Sequence, residues 1–143
     1  MKYLSCLVVL VLFAATCTPK ELKDAKVTMS TQTRGYEDRV EVYNSKVTSM
    51  KNVVIENAGA QNQVVELTAK ELNALLKTAR SFDYTKLNEY AAPSNGRATD
   101  RAAIRRLVIE YDGKTYESVP FDHNNPPAEL KPLVDALSTY IPK

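Results

Sequence analysis

Residues 63–82, Gln63-Val64-Val65-Glu66-Leu67-Thr68-Ala69-Lys70-Glu71-Leu72-Asn73-Ala74-Leu75-Leu76-Lys77-Thr78-Ala79-Arg80-Ser81-Phe82, change their hydrophobic period at Thr68. The first five residues are rich in β-branched and apolar side chains and read as a strand. Thr68-Ala69-Lys70-Glu71 has the spacing of a capping box, in which the Thr68 hydroxyl takes the Glu71 amide and the Glu71 carboxylate reaches back. Leu72, Leu75, Leu76 and Ala79 then fall at i, i+3, i+4 and i+7, and Phe82 continues the stripe. Lys77 and Arg80 stand in the last turns, where cations suit the helix dipole. A strand running straight into an amphipathic helix selects a mixed α+β domain.

Working outward, Arg39–Tyr43 alternates polar and apolar residues and predicts a half-buried strand. Asn44-Ser45 reads as a turn, with Lys46–Met50 as its hairpin partner. Asn57-Ala58-Gly59 marks a further turn, between Val53-Val54-Ile55 and the strand at Gln63. On the C-terminal side, residues 91–100 form a loop rich in Pro, Ser, Asn and Gly. Ala103–Tyr111 and Lys114–Phe121 are strands joined by Asp112-Gly113, a two-residue hairpin signal because both positions tolerate positive φ. The loop Asp122–Pro127 leads into a second helix with Leu130, Leu133, Val134 and Leu137 on one face and Pro132 in its first turn. A meander of about four antiparallel strands with two helices packed on one face buries every stripe, leaving the other sheet face solvated or free for binding.

The N-terminal stretch reads differently. Lys2 is followed by the apolar run Leu7–Ala15, which has signal-peptide length and is too short to span a bilayer. Phe13-Ala14-Ala15-Thr16 before Cys17 resembles a bacterial lipobox, with Ala14 in place of Leu and Thr16 in place of Gly or Ala. Of the two cysteines, Cys6 leaves with the signal and Cys17 remains unpaired. A lone cysteine in an oxidising compartment is accounted for by lipidation, with palmitate-type acylation completing a stable anchor. The alternative is ordinary cleavage near Ala14 or Ala15, which leaves a free thiol. The expected organisation is a lipoprotein signal peptide at 1–16, a lipid anchor and polar tether at 17–33 merging into a first edge strand, and one domain at 34–143. The expected location is the bacterial cell envelope, on the periplasmic or outer-membrane side.

Charge excludes a nucleic-acid partner. Removing residues 1–16 removes Lys2 alone, leaving 18 basic against 17 acidic residues, with no basic stripe of the kind such binding needs. Arg97, Arg101, Arg105 and Arg106 make a local basic run, read as a solvated loop and strand face or as a patch for an acidic partner. With one histidine, His123, and one mature cysteine, a structural zinc site of Cys and His ligands fails by count. No serine has a nucleophile-elbow context, no glycine stands in a phosphate loop, and no calcium-loop spacing occurs. The chain is therefore expected to be non-enzymatic and free of cofactors and metals. Candidate partner-binding residues are Arg34, Gly35 and Tyr36, which join a cation, a flexible backbone and an aromatic ring, and Arg97, Asp122 and His123 in proline-bearing loops.

Two segments, VVELTAKELNALLKTARSFDY (64–84) and DRAAIRRLVIEYDGKTYESVPFDHNNPPAELKPLVDAL (100–137), resemble the emfourins. These are small bacterial protein inhibitors of thermolysin-like (protealysin) metallopeptidases. The resemblance covers roughly residues 30–141 and rests on the strand-to-helix step, the Asp-Gly hairpin and the Phe-Asp…Pro-Pro…Leu-Lys-Pro-Leu ending. Arg34-Gly35-Tyr36 occupies the place of the family's glycine-rich opening, with one glycine where a Gly-Gly pair is usual. Emfourins usually lack a signal peptide. The chain also resembles predicted lipoproteins of Bacteroidota with the same FDHxxPP ending. With the envelope location taken from the signal peptide and lipobox, the emfourin resemblance implies a protein-binding domain whose candidate partner is a metallopeptidase it inhibits, and it carries over no inhibitory residue. The alternative is a structural or assembly role in the envelope.

Overall fold

A computed structural model describes residues 22–53 and 59–143. The signal peptide, Cys17 and the turn at Asn57-Ala58 lie outside the described residues. Four consecutive strands, β1 (Lys26–Thr33), β2 (Tyr36–Tyr43), β3 (Lys46–Val53) and β4 (Ala60–Glu66), form an antiparallel meander. Helix α1 (Ala69–Ala79) then carries the chain back across the sheet, and β5 (Ile104–Tyr111) pairs with β1, not with β4. Strand β6 (Lys114–Glu117) and the short β7 (Phe121–Asp122) both pair with β5, before α2 (Lys131–Ser138). The sheet order is β4-β3-β2-β1-β5-β6, with β7 off this path.

The expected four-strand meander is thus overturned: among the described residues the sheet has seven strands and only two α-helices. Two physical causes account for the difference. Residues 26–33 lie at the centre of the sheet, and the boundary drawn at 33/34 would cut β1 away from its partners on both sides. Only Val27 and Met29 carry its apolar alternation, because the third inward position, Thr31, is polar. The predicted strand 114–121 is divided by Ser118-Val119-Pro120. Proline brings no N–H to a ladder, and the Ser118 hydroxyl takes the Leu107 N–H at 3.0 Å in place of a backbone carbonyl.

Several local expectations agree with the geometry. The Thr68 N–H donates to Glu71 Oε2 at 2.8 Å and the Glu71 N–H to Thr68 Oγ1 at 3.3 Å, closing the capping box. Asp112 and Gly113 adopt φ of 53° and 69°, and Asn44 and Ser45 adopt 48° and 62°, as twisted two-residue hairpins require. Pro132 sits in the first turn of α2.

The inward face of the sheet is built in cross-strand rows. Ile109, Val27, Val42 and Val47 form one row; Leu107, Met29, Val40 and Ser49 form the next. All eight are buried, and both helices close over them with Leu75, Leu76, Leu133, Val134 and Leu137. Each fully buried aliphatic side chain contributes about 1.5–3 kcal/mol to folding. The outward face is a charged surface, with Lys26 bridging Glu41 and Glu110 and Arg106 facing Glu117. Such exposed pairs add little stability.

Candidate functional site

The third inward row departs from the first two. Arg105, Thr31 and Asp38 stand where the alternation calls for apolar side chains, and all three are buried. Arg105 donates through Nε to Thr31 Oγ1 at 2.8 Å and through one terminal nitrogen to the His123 carbonyl (3.3 Å) and Ser138 Oγ (3.2 Å). Its other terminal nitrogen lies 3.9 Å from Asp38 Oδ2, which accepts the Tyr36 hydroxyl at 2.6 Å. One guanidinium thereby ties together β1, β2, the segment after β7, and α2. Burial lowers the Arg105 pKa, and the neighbouring Asp38 carboxylate opposes that shift. Asp38 Oδ1 is sealed from solvent without a hydrogen-bond donor. Burial, together with the hydrogen bond to Asp38 and its charge, pushes the Tyr36 phenol up to about 12, so Tyr36 serves as a neutral donor.

Above this row the end of the sheet opens into a cavity of about 370 Å3, with Thr33, Tyr36, Arg101, Arg105 and His123 among its walls. It lies between the β1–β2 turn and the loops at 94–103 and 122–125. The second loop is held by one carboxylate. Asp122 is 3 % exposed. Its Oδ2 accepts from Ser94 Oγ (2.6 Å) and the Gly96 N–H (2.7 Å), and its Oδ1 from the Arg97 N–H (2.9 Å) and side chain (3.3 Å). Gly96 suits this close approach: a Cβ there would stand 3.1 Å from Asp122 Oδ2, so the carboxylate would have to give by a few tenths of an ångström. The donors, led by Ser94, depress the Asp122 pKa to about 2 against the wish of burial to raise it.

A folded-state pKa below the ordinary aspartate value of 3.8 means that Asp122 stabilises the fold above about pH 4. That contribution fades as pH falls toward 2. Denaturant unfolding between pH 6 and pH 2.5 should therefore show a steeper acid loss for the natural chain than for Asp122→Asn. Parallel slopes would show that the clamp does not titrate with folding.

The structure places all six candidates read from the sequence at this end and gives most of them internal work. Arg34 is exposed at the β1–β2 turn, where Gly35 takes φ of 99°. Tyr36 faces inward to Asp38, Arg97 folds back on the Ser94 carbonyl at 2.6 Å, and Asp122 is consumed by the loop clamp. His123 is half-buried; its Nδ1 accepts the Ala103 N–H at 3.2 Å, which leaves the neutral ring's proton on Nε2. Ser118, His123 and Asp122 each bond elsewhere and form no relay. The arginine run is dispersed: Arg97 on the clamp, Arg101 exposed, Arg105 in the core, Arg106 on the far face. No basic patch forms from it.

Sequence reasoning missed Asp38, Thr31 and Ser138. A signal was present: Asp38 precedes Val40 by two residues, Arg105 precedes Leu107 by two, and Thr31 follows Met29 by two, so all three share the parity of the core. Among the described residues no group of three His, Cys, Asp or Glu side chains is arranged to hold a metal ion. No described helix is long and apolar enough to cross a membrane. No protein-family model matches the chain, and no curated protein matches it.

Proposed function

We propose that this chain is a non-enzymatic, lipid-anchored protein of the bacterial envelope that binds another protein through the loop end of its sheet. The partner proposed is a thermolysin-like metallopeptidase, which it inhibits. The observation that carries this reading is the convergence of three loops at one end of a rigid sheet, two of them cross-tied by Asp122. Binding by pre-ordered loops avoids the entropy of ordering them on contact. Exposed Arg34 and Arg101 at the rim and half-buried Tyr36 and His123 in the cavity supply the residue types that anchor protein interfaces. The spacing of the Asp122–Pro127 loop ahead of α2, which carried the emfourin resemblance, belongs to this same end.

Titrating the full chain, in detergent micelles, into a thermolysin-like metallopeptidase tests the proposal through the rate of peptide cleavage. Loss of activity at a stoichiometric ratio is expected, weakened at least tenfold by the joint exchange Arg34→Ala, Arg101→Ala. Full peptidase activity at a large molar excess would overturn the inhibitor reading and favour a structural or assembly role in the envelope.

A further inference from the structure

The two lateral edges of the sheet are treated unequally. On one side β6 is four residues long, carries Lys114 and Glu117 at its ends, and is followed by Pro120. Short length, charge and proline are the usual means of keeping an edge from pairing with another chain. On the other side β4 runs for seven residues, pairs among the described residues with β3 alone, and has no proline. From Ala60 through Val65 it carries no charge. Gln61 and Gln63, which point to one face, and Asn62 and Val64, which point to the other, are all exposed, with Val64 at 63 %. Ala60 through Val64 are exposed on both faces, and Val65 is half-buried against the core.

We propose that β4 is an association edge that pairs antiparallel with β4 of a second copy of this chain. The register follows from the sequence. A twofold axis through Gln63, the midpoint of Ala60–Glu66, gives overlap of the whole strand. It sets Gln63 opposite itself, Asn62 opposite Val64, Gln61 opposite Val65, and Ala60 opposite Glu66. No like charges face each other, because the only charged residue of the strand meets an alanine. Edge-to-edge joining of this kind is isologous and closes on itself as a dimer. It uses the edge farthest from β5 and β7, so the loops at 94–101 and 122–125 stay open, and it stands independently of the function proposed for them.

One pair of seven-residue strands spans only about 24 Å and buries less than a standard stable interface. The association is therefore weak, and covalent trapping is the suitable probe. Directly opposed residues of antiparallel strands have Cα atoms about 4.5–5.5 Å apart, within the range a disulfide bridges. Residues displaced by two positions are about 7–8 Å apart, beyond that range.

The full chain carrying Gln63→Cys, Asn62→Cys or Thr115→Cys would be exported to a bacterial envelope and examined by non-reducing electrophoresis. Cys6 and Cys17 are common to all three, so their background cancels. Gln63→Cys should yield a species of twice the chain mass at least fivefold above both others. Equal yields from Gln63→Cys and Asn62→Cys, no dimer above the Thr115→Cys level, or trapping of a protein of different mass would overturn the proposal.

Discussion

Replacing Arg105 with methionine is expected to destabilise the fold by about 3–5 kcal/mol, the usual cost of removing one partner from a buried ion pair. The loss has little to do with the attraction between Arg105 and Asp38, which are 3.9 Å apart at their nearest atoms. Its source is what remains: a carboxylate 1 % exposed with one oxygen already lacking a donor. Thr31 Oγ1, Ser138 Oγ and the His123 carbonyl would each lose a donor as well. Chemical denaturation measures the effect directly. The double exchange Arg105→Met, Asp38→Leu should recover most of the loss, because an apolar pair of similar volume leaves no charge stranded. A single variant within about 0.5 kcal/mol of the natural chain, the range of ordinary surface changes, would show that Arg105 is dispensable to the core.

Exchange of Cys17 for serine is expected to abolish acylation altogether. Cells fed a traceable palmitate analogue should label the natural chain and leave Cys17→Ser unlabelled. The argument is chemical: a serine hydroxyl cannot form the thioether that carries the diacylglycerol, and without that step no further acyl chain follows. Two or more chains hold a protein stably at a bilayer and one does so only marginally, so on the proposed lipoprotein reading the variant should lose membrane partitioning with its label. Label retained by the serine variant, or no label on the natural chain, would remove the lipoprotein reading and leave Cys17 as a free thiol after ordinary cleavage.

Local chemistry made much of the fold legible. The capping box at Thr68 and Glu71, the Asp112-Gly113 turn and the core stripe of α2 each depend on residues a few positions apart, and all are present. β1 was expected as an edge strand at the end of the tether, and its central place was missed for a different reason. Its pairing partners are distant in sequence, and a strand at the centre of a sheet can bury threonine where neighbouring strands supply the polar partners, as Arg105 does for Thr31. The candidate site shows the same division. Asp122 was recognisable as a residue of consequence, but its donors come from Ser94, Gly96 and Arg97, some 25 residues earlier. Arg105 read as one of four surface cations because charge composition carries no information about parity. Counting alternation from Leu107 would have placed it inward, facing Asp38 across Thr31.

What the sequence determined by itself was the set of segments whose geometry is decided within a turn or a hairpin: both helices, the two tight turns at Asn44-Ser45 and Asp112-Gly113, and the alternation of β2. Those follow from side-chain spacing, capping and the tolerance of Gly, Asn and Asp for positive φ. The tertiary structure alone decided that β5 returns beside β1, that seven strands share one sheet, and that Asp38 and Arg105 meet in its core. These are choices between distant partners with similar local preferences. They are settled by which arrangement buries the apolar rows while leaving the fewest polar groups unpaired.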